Sequence, residues 1–117
     1  MVLSGITILH SSNFQNGLKF WKNAAENSPH SALAHSYFGD MYFLSGKLQD
    51  AQSEYQKALA INKAELPVHN NLAIVYINMG KLKEAEAEFK EEIRLHPDYK
   101  EASLNLDRLY SLQGDKN

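Results

Sequence analysis

The sequence predicts an all-α fold built from consecutive helical hairpins of equal length. Residues of the same type recur every 34 positions. Two series carry the pattern: Gly46, Gly80 and Gly114, and Tyr42, Tyr76 and Tyr110. A fixed period of this length is typical of solenoids, in which each repeat packs on the next and buries a shared core. Because a solenoid presents a long surface rather than an enclosed pocket, the period favours binding over catalysis.

Composition narrows the function classes. The chain has 117 residues, of which 44% are hydrophobic and 22% charged, as in an ordinary globular domain. The net charge is −2. Because basic residues are not in excess, a nucleic-acid partner is not expected. The absence of cysteine excludes disulfides and thiolate metal sites. No apolar run reaches the length of a membrane span, so we expect a soluble domain, either cytoplasmic or attached to a membrane protein.

The first complete repeat is predicted to be a helix over residues 32–45, a stop at Gly46 and a second helix over 48–61. His35, Phe38 and Tyr42 fall on one face of the first helix, as helical periodicity requires for a core-facing side. Gly46 suits a helix end, since glycine adopts the left-handed conformation there without a steric cost.

The second repeat copies the first, with helices predicted over residues 67–79 and 82–95 and a stop at Gly80. Pro67 is expected in the first turn of its helix, where a missing N–H is tolerated. Pro97 is expected to end the second helix.

The period also extends to both flanks. Residues 13–27 are predicted to be a second helix whose hairpin partner lies in or before the first ten residues. Residues 99–112 are predicted to be a solvated end helix, because Asp107 occupies the position that is Gly39 and Ala73 in the repeats. A single domain over 1–117 would thus contain a degenerate first unit (1–31), two repeats (32–65 and 66–99) and a capping helix (100–114).

Small and aromatic residues in both repeats resemble the tetratricopeptide repeat. The resemblance rests on a framework shared by the two units: Phe38-Gly39, Tyr42, Gly46, Ala51, Tyr55 and Ala58, then Leu72-Ala73, Tyr76, Gly80, Ala85, Phe89 and Pro97. It implies a right-handed superhelix of antiparallel helix hairpins whose first helices line a concave groove. Glu92 departs from the pattern, since it stands where the family has a small residue.

A second, narrower resemblance concerns residues 18–35, which contain Trp21 and Pro29. This stretch resembles the junction in some bacterial membrane proteins of the glycosyltransferase type, where a soluble repeat domain follows the last membrane helix. It implies an accessory domain, with the chemistry elsewhere.

The groove implied by the first resemblance would hold a protein or peptide ligand. Its predicted lining is Tyr37, Asp40, Phe43, Asn70, Asn71, Ile74, Ile77, Asn78, Asn105 and Arg108. The apolar members are candidate anchors, although each could instead pack on a neighbouring helix. Asn71 and Asn105 lie one period apart and could hold a peptide backbone, or could be solvated or bonded between helices.

Other candidate sites are weaker. The family's carboxylate clamp has its lysine at the position of Ser36, Asn70 and Leu104, none of which is basic, so a clamp of that kind is not expected. His35 and His69 are interpreted as core or half-buried histidines, because no nearby cysteine or carboxylate is expected to complete a metal site. The charged run over residues 81–92 is interpreted as a solvated face.

We therefore predict a protein-interaction module that is not an enzyme and has no cofactor. Two alternatives stay open: the accessory domain of a membrane-bound glycosyltransferase-like protein, and self-association into a homo-oligomer.

Overall fold

A computed structural model describes residues 12–114. Within this range the chain forms six α-helices and no β-strand: α1 (Ser12–Asn27), α2 (Ala32–Leu44), α3 (Leu48–Ile61), α4 (Val68–Asn78), α5 (Leu82–Leu95) and α6 (Lys100–Gly114). The chain divides into two compact units between Lys63 and Ala64. The first unit contains α1–α3 and the second α4–α6. The all-α hairpin fold predicted from the 34-residue period is confirmed.

The helix boundaries follow the sequence pattern with two corrections. α3 and α5 begin and end where the period places them. Pro67 was expected inside the first turn of α4 but lies at the N-cap, one residue before the helix. The end helix was predicted over 99–112 but spans Lys100–Gly114, so Gly114, which continues the series of Gly46 and Gly80, is still helical and does not have their positive φ. The hairpin partner expected for α1 in or before the first ten residues lies outside the described residues.

Gly46 and Gly80 end α2 and α4 in the same way. Their φ angles are +78° and +80°, a left-handed conformation that favours glycine. In both units the next residue reaches back to the last helical turn: the N–H of Lys47 donates to the Tyr42 carbonyl at 2.9 Å, and that of Lys81 to the Tyr76 carbonyl at 2.8 Å. This bond closes the helix end and turns the chain into the second helix of the hairpin.

In the first unit, α2 packs against both α1 and α3. Gly39 makes the contact with α3 possible, because a Cβ at this position would lie only 2.7 Å from Cε1 of the Tyr55 ring. Phe38 forms a core with Ala25 of α1 and Ala34, and the partly buried Trp21 packs on it. The expectation that position 39 must be small is confirmed.

In the second unit, α5 packs against both α4 and α6. Phe89 is fully buried, and α6 is held by the buried residues Ala102, Leu106 and Leu109. Asp107, at the position corresponding to Gly39, is exposed among the described residues. The packing therefore leaves one side of α6 facing solvent in this range.

Candidate functional site

The ten residues predicted to line a groove are divided between the two units. Tyr37, Asp40 and Phe43 lie on α2 of the first unit. The other seven lie on α4 and α6 of the second unit: Asn70, Asn71, Ile74, Ile77, Asn78, Asn105 and Arg108. Each unit is therefore considered as a surface of its own.

Tyr37 belongs to an exposed aromatic cluster in the first unit. Its ring stacks on Trp21 of α1 with 4.5 Å between ring centroids and an interplanar angle of 28°. Phe20 meets Trp21 edge-on at 4.8 Å and is itself 61% exposed. Tyr37 keeps 41% of its surface exposed, so one ring face is used for packing while part of the side chain stays accessible.

Asp40 and Phe43 are less available than Tyr37. The Asp40 carboxylate accepts a hydrogen bond from the Tyr55 hydroxyl of α3 and is half-buried. Phe43 is half-buried as well. Asp40 therefore helps to join α2 to α3. Because its carboxylate is used in this contact, it is less available to a ligand than the sequence suggested.

A series of hydrogen-bonded polar side chains crosses the second unit from α6 to α4. Arg108 Nη1 donates to Asn105 Oδ1 at 3.0 Å, and Asn105 Nδ2 donates to Asn70 Oδ1 at 3.1 Å. Asn70 Nδ2 then donates to Asn71 Oδ1 at 3.3 Å. We call these four residues the amide series. Asn70, which is 2% exposed and bonded on both sides, thus connects Asn71 to Asn105.

The remaining predicted residues on α4 flank the amide series. Ile74 and Ile77 are half-buried, so each keeps some apolar surface accessible. Asn78 is exposed, and its Nδ2 donates to the Ile74 carbonyl of its own helix at 2.8 Å. One N–H of the Asn78 amide is therefore already used within its own helix.

Glu92 is a buried carboxylate that sequence reasoning placed on a solvated face. Its side chain is fully buried, and Oε1 accepts the backbone N–H of Asn70 at 2.9 Å. Oε2 has no hydrogen-bond partner within the described part of the chain, and Nε2 of His96 lies 3.7 Å away. The interpretation of the whole 81–92 run as solvated is thus wrong at this position.

Two histidine–glutamate pairs recur one period apart, one in each unit. His35 Nδ1 lies 2.7 Å from Glu54 Oε1, and His69 Nδ1 lies 2.6 Å from Glu88 Oε1. The interpretation of His35 as a core histidine fits its 7% exposure. The expectation that no carboxylate lies near these histidines is wrong. In the described range no group of three or more potential metal ligands is present.

Surface charge pairs on α5 shift the pKa values of exposed groups. A hydrogen bond from the Tyr110 hydroxyl, followed by one from Lys90, lowers the pKa of the Glu86 carboxyl. A hydrogen bond from Arg94 likewise lowers the pKa of Glu91. The two carboxylates are partly exposed and are bonded to neighbouring surface groups, as expected for a solvated face rather than a reactive site.

Comparison with known proteins places the hairpins in a structural class. The family model described as tetratricopeptide repeat matches residues 42–91, from the end of α2 into α5. The first tetratricopeptide repeat domain of Spaghetti (RPAP3), bound to the HSP90 peptide SRMEEVD, is 17% identical with a TM-score of 0.81, over 95% of this chain and 90% of that one. The chain has the fold of a tetratricopeptide repeat domain.

Two further tetratricopeptide structures show the same fold. The second such domain of human RPAP3, in complex with the HSP70 peptide SGPTIEEVD, is 17% identical, with a TM-score of 0.77 over 92% of this chain and 89% of that one. A thermophilic tetratricopeptide protein of Thermus thermophilus is 26% identical, with a TM-score of 0.73 over 83% of this chain and 50% of that one. No curated protein sequence matches the chain. No described helix is long and apolar enough to cross a bilayer.

The sequence analysis did not predict the contacts of two residues, Trp21 and Glu92. Trp21 lies one period before Tyr55, which indicates a core position. Its stacking on the exposed Tyr37 depends on how α1 packs on α2, and the sequence does not give that packing. Glu92 carried a usable signal, because it stands one period after the fully buried Ala58. A carboxylate at a core position must find a donor, and the nearest start of a helix supplies one.

Proposed function

We propose that this tetratricopeptide fold is a protein-interaction module that binds an extended peptide, with the amide series of the second unit as its main polar contact. The observation that carries the proposal is the hydrogen bond from Asn105 Nδ2 to Asn70 Oδ1, which fixes the Asn105 side chain between two neighbours. Because Arg108 holds the other end of the same amide, Asn105 loses little further freedom on binding a ligand.

The fixed amide still has hydrogen-bonding capacity. A side-chain amide has two N–H donors and two acceptor lone pairs on its oxygen. Asn105 uses one N–H toward Asn70 and one lone pair for Arg108. One donor and one acceptor remain, which match the C=O and N–H of one residue of an extended peptide. A helical peptide offers fewer such groups, because its backbone groups are bonded internally.

Apolar contacts would complete the site. Ile74 and Ile77 flank the amide series on α4, with part of each side chain accessible. Burial of apolar ligand side chains at such positions contributes roughly 25 cal/mol per Å², from which the cost of association is subtracted.

The structural relatives support peptide binding, and the residues support a different specificity. The peptides in two of the related structures, SRMEEVD and SGPTIEEVD, both end in EEVD and are acidic. Among the seven predicted surface residues of the second unit Arg108 is the sole cation, and its guanidinium already donates to Asn105. We therefore propose recognition of the peptide backbone and apolar side chains rather than of an acidic C-terminal tail.

The proposal is tested with a displayed library of random peptides selected on the immobilised protein. We expect enrichment of peptides with apolar residues and no requirement for a free C-terminus. Asn105→Ala should weaken binding of an enriched peptide by about tenfold, the loss expected for one or two hydrogen bonds. Lys83→Ala, on the exposed side of α5, is the matched control. Equal affinities for the wild type and Asn105→Ala, at unchanged helicity, would refute the assignment.

Self-association is a second candidate, supported by apolar exposure on α6. Leu104 is 53% exposed and Leu112 62%, although α6 is the last described helix of its unit. Light scattering over a concentration series tests this alternative. A mass that rises with concentration and returns to that of a monomer in Leu104→Lys would support it, and a constant monomer mass would exclude it.

The membrane-enzyme context is the third candidate and rests on the resemblance of residues 18–35. The nucleotide sequence directly upstream of the Met1 codon tests this candidate. A long hydrophobic segment in the same reading frame would support an accessory domain, whereas a stop codon directly upstream would exclude it.

A further inference from the structure

A cavity in the first unit lies apart from the proposed peptide surface. Its volume is about 570 Å³, within the range of small-molecule sites. Its apolar lining comes from three helices and the α1–α2 connection, and consists of Ala25, Pro29, Phe38, Ala60 and Ile61. The rings of Phe38 and Tyr42 lie together in this wall, with centroids 4.4 Å apart. The cavity therefore fits an apolar body of moderate size.

Two oxygen-bearing groups in the cavity wall are without partners. The Tyr42 hydroxyl makes no hydrogen bond, and the Glu26 carboxylate makes no ion pair, with any described residue. The third oxygen-bearing side chain, Glu54, is 6% exposed and already accepts bonds from His35 and Lys57. Among the described lining residues, the unused hydrogen-bonding capacity therefore lies in the Tyr42 hydroxyl, the Glu26 carboxylate and the Lys22 ammonium group.

The charges around Tyr42 favour a positive ligand. The pKa of the Tyr42 hydroxyl is raised by burial first and then by the carboxylates of Asp50 and Glu54. Lys57 opposes these carboxylates, and Glu26 adds to them. Lys22 also lines the cavity, and the ammonium of Lys47 lies 6.0 Å from the Tyr42 ring centroid. Lys57 is itself paired with Glu54 at 2.9 Å, so the groups that act on the hydroxyl are three carboxylates and one paired ammonium group.

We propose that this cavity binds a small organic cation, with its apolar body against Phe38 and Ala60 and its ammonium group between the Tyr42 hydroxyl and the Glu26 carboxylate. Both polar groups accept hydrogen bonds from an ammonium group, and the aromatic wall adds a cation–π contribution. An anionic ligand of the same shape would face Glu26 and Glu54 instead. This site is independent of the peptide surface and can be tested separately.

The test uses three probes of one shape and different charge: phenethylamine, 2-phenylethanol and 3-phenylpropionate. Trp21, the single tryptophan of the chain, packs on the same cluster as Tyr42 and Phe38, so its fluorescence reports occupancy. We expect saturable binding of the amine, weaker binding of the alcohol and the weakest binding of the carboxylate. Tyr42→Phe and Glu26→Gln should each weaken amine binding by about tenfold, as for loss of one charge-assisted hydrogen bond.

Lys19→Gln is the control, because this exposed α1 residue does not line the cavity. Its affinity for the amine should equal that of the wild type. Three results would overturn the proposal: no saturable binding of the amine, binding of the carboxylate as tight as that of the amine, or equal amine affinity in Glu26→Gln and Lys19→Gln. Circular dichroism of each variant confirms that the helices are intact, so a loss of binding is not a loss of fold.

Discussion

The carboxylate of Glu92 on α5 accepts the backbone N–H of Asn70 on α4 at 2.9 Å. α4 has no side-chain cap of its own, because the N-cap residue is Pro67. In the first unit the N–H of Ala34, also in the first helical turn, donates to Oγ of the N-cap residue Ser31 at 3.1 Å. The same requirement, an acceptor for an unpaired N–H in the first helical turn, is thus met locally in one unit and by the partner helix in the other.

This cap predicts a difference between two substitutions of Glu92. Glu92→Ala leaves the Asn70 N–H without its acceptor and should lower the free energy of unfolding by about 1–3 kcal/mol. Glu92→Gln retains an oxygen that can accept the same bond and should lose less. Urea denaturation of the three proteins measures the effect. A Glu92→Ala protein as stable as Glu92→Gln would mean that the bond to Asn70 does not stabilise α4.

The close approach of α2 and α3 predicts opposite effects of adding one methyl group at two glycines. Gly39→Ala would place Cβ 2.7 Å from the Tyr55 ring and should destabilise the first unit by about 1–3 kcal/mol. Gly17→Ala in α1 places Cβ at an ordinary 3.6 Å from Met41 Sδ and should stabilise by about 0.5–1 kcal/mol. Thermal unfolding compares the two variants. A Gly39→Ala protein that melts at or above the wild-type temperature would contradict the packing described.

The two histidine–glutamate pairs predict unequal coupling energies. The side chains of His35 and Glu54 are 9% and 8% exposed, whereas those of His69 and Glu88 are 12% and 24% exposed. A double-mutant cycle with His→Ala and Glu→Gln should therefore give a coupling of about 1 kcal/mol or more for the buried pair. The more exposed pair should give less, because solvent screens it. Equal or reversed couplings would show that burial does not set the strength of these contacts.

The Tyr110–Glu86 hydrogen bond predicts a change in an acid titration. Tyr110 and Lys90 hold the pKa of Glu86 below its ordinary value of 4.5. A depressed carboxyl pKa stabilises the folded state above the unfolded pKa, and that contribution is lost as the pH falls through the folded pKa. Tyr110→Phe should move the Glu86 pKa upward, toward 4.5. Carboxyl-carbon NMR titration measures it, with Tyr99→Phe as a control, and an unchanged Glu86 pKa in Tyr110→Phe would contradict the bond.

Sequence periodicity predicted the helices well because their ends have local causes. Gly46 and Gly80 end α2 and α4 through their own backbone conformation, and Gly39 is small because of one ring contact. Such features repeat with the period and can be recognised without coordinates. Pro67 was placed inside α4 because the missing proline N–H permits either position, and the choice depends on the connection before it.

The candidate site was predicted less completely, because its contacts join residues that are distant in the sequence. Asn70 was expected to face a ligand, but Asn105 and Glu92 both bind it, and it is buried. Glu92 was expected in solvent, because a charged helical run is usually solvated. The period relates Glu92 to the buried Ala58, but it does not say which group on another helix bonds to an inward-pointing glutamate or asparagine.

Backbone recognition by Asn105 is tested most directly by calorimetric titration of one library-selected peptide and its singly N-methylated analogues. N-methylation removes one peptide N–H and leaves the side chains in place. At one position it should weaken binding to the wild type by about tenfold, and it should have little effect on binding to Asn105→Ala. An equal penalty in both proteins, or no penalty at any position, would contradict a peptide held through the amide series.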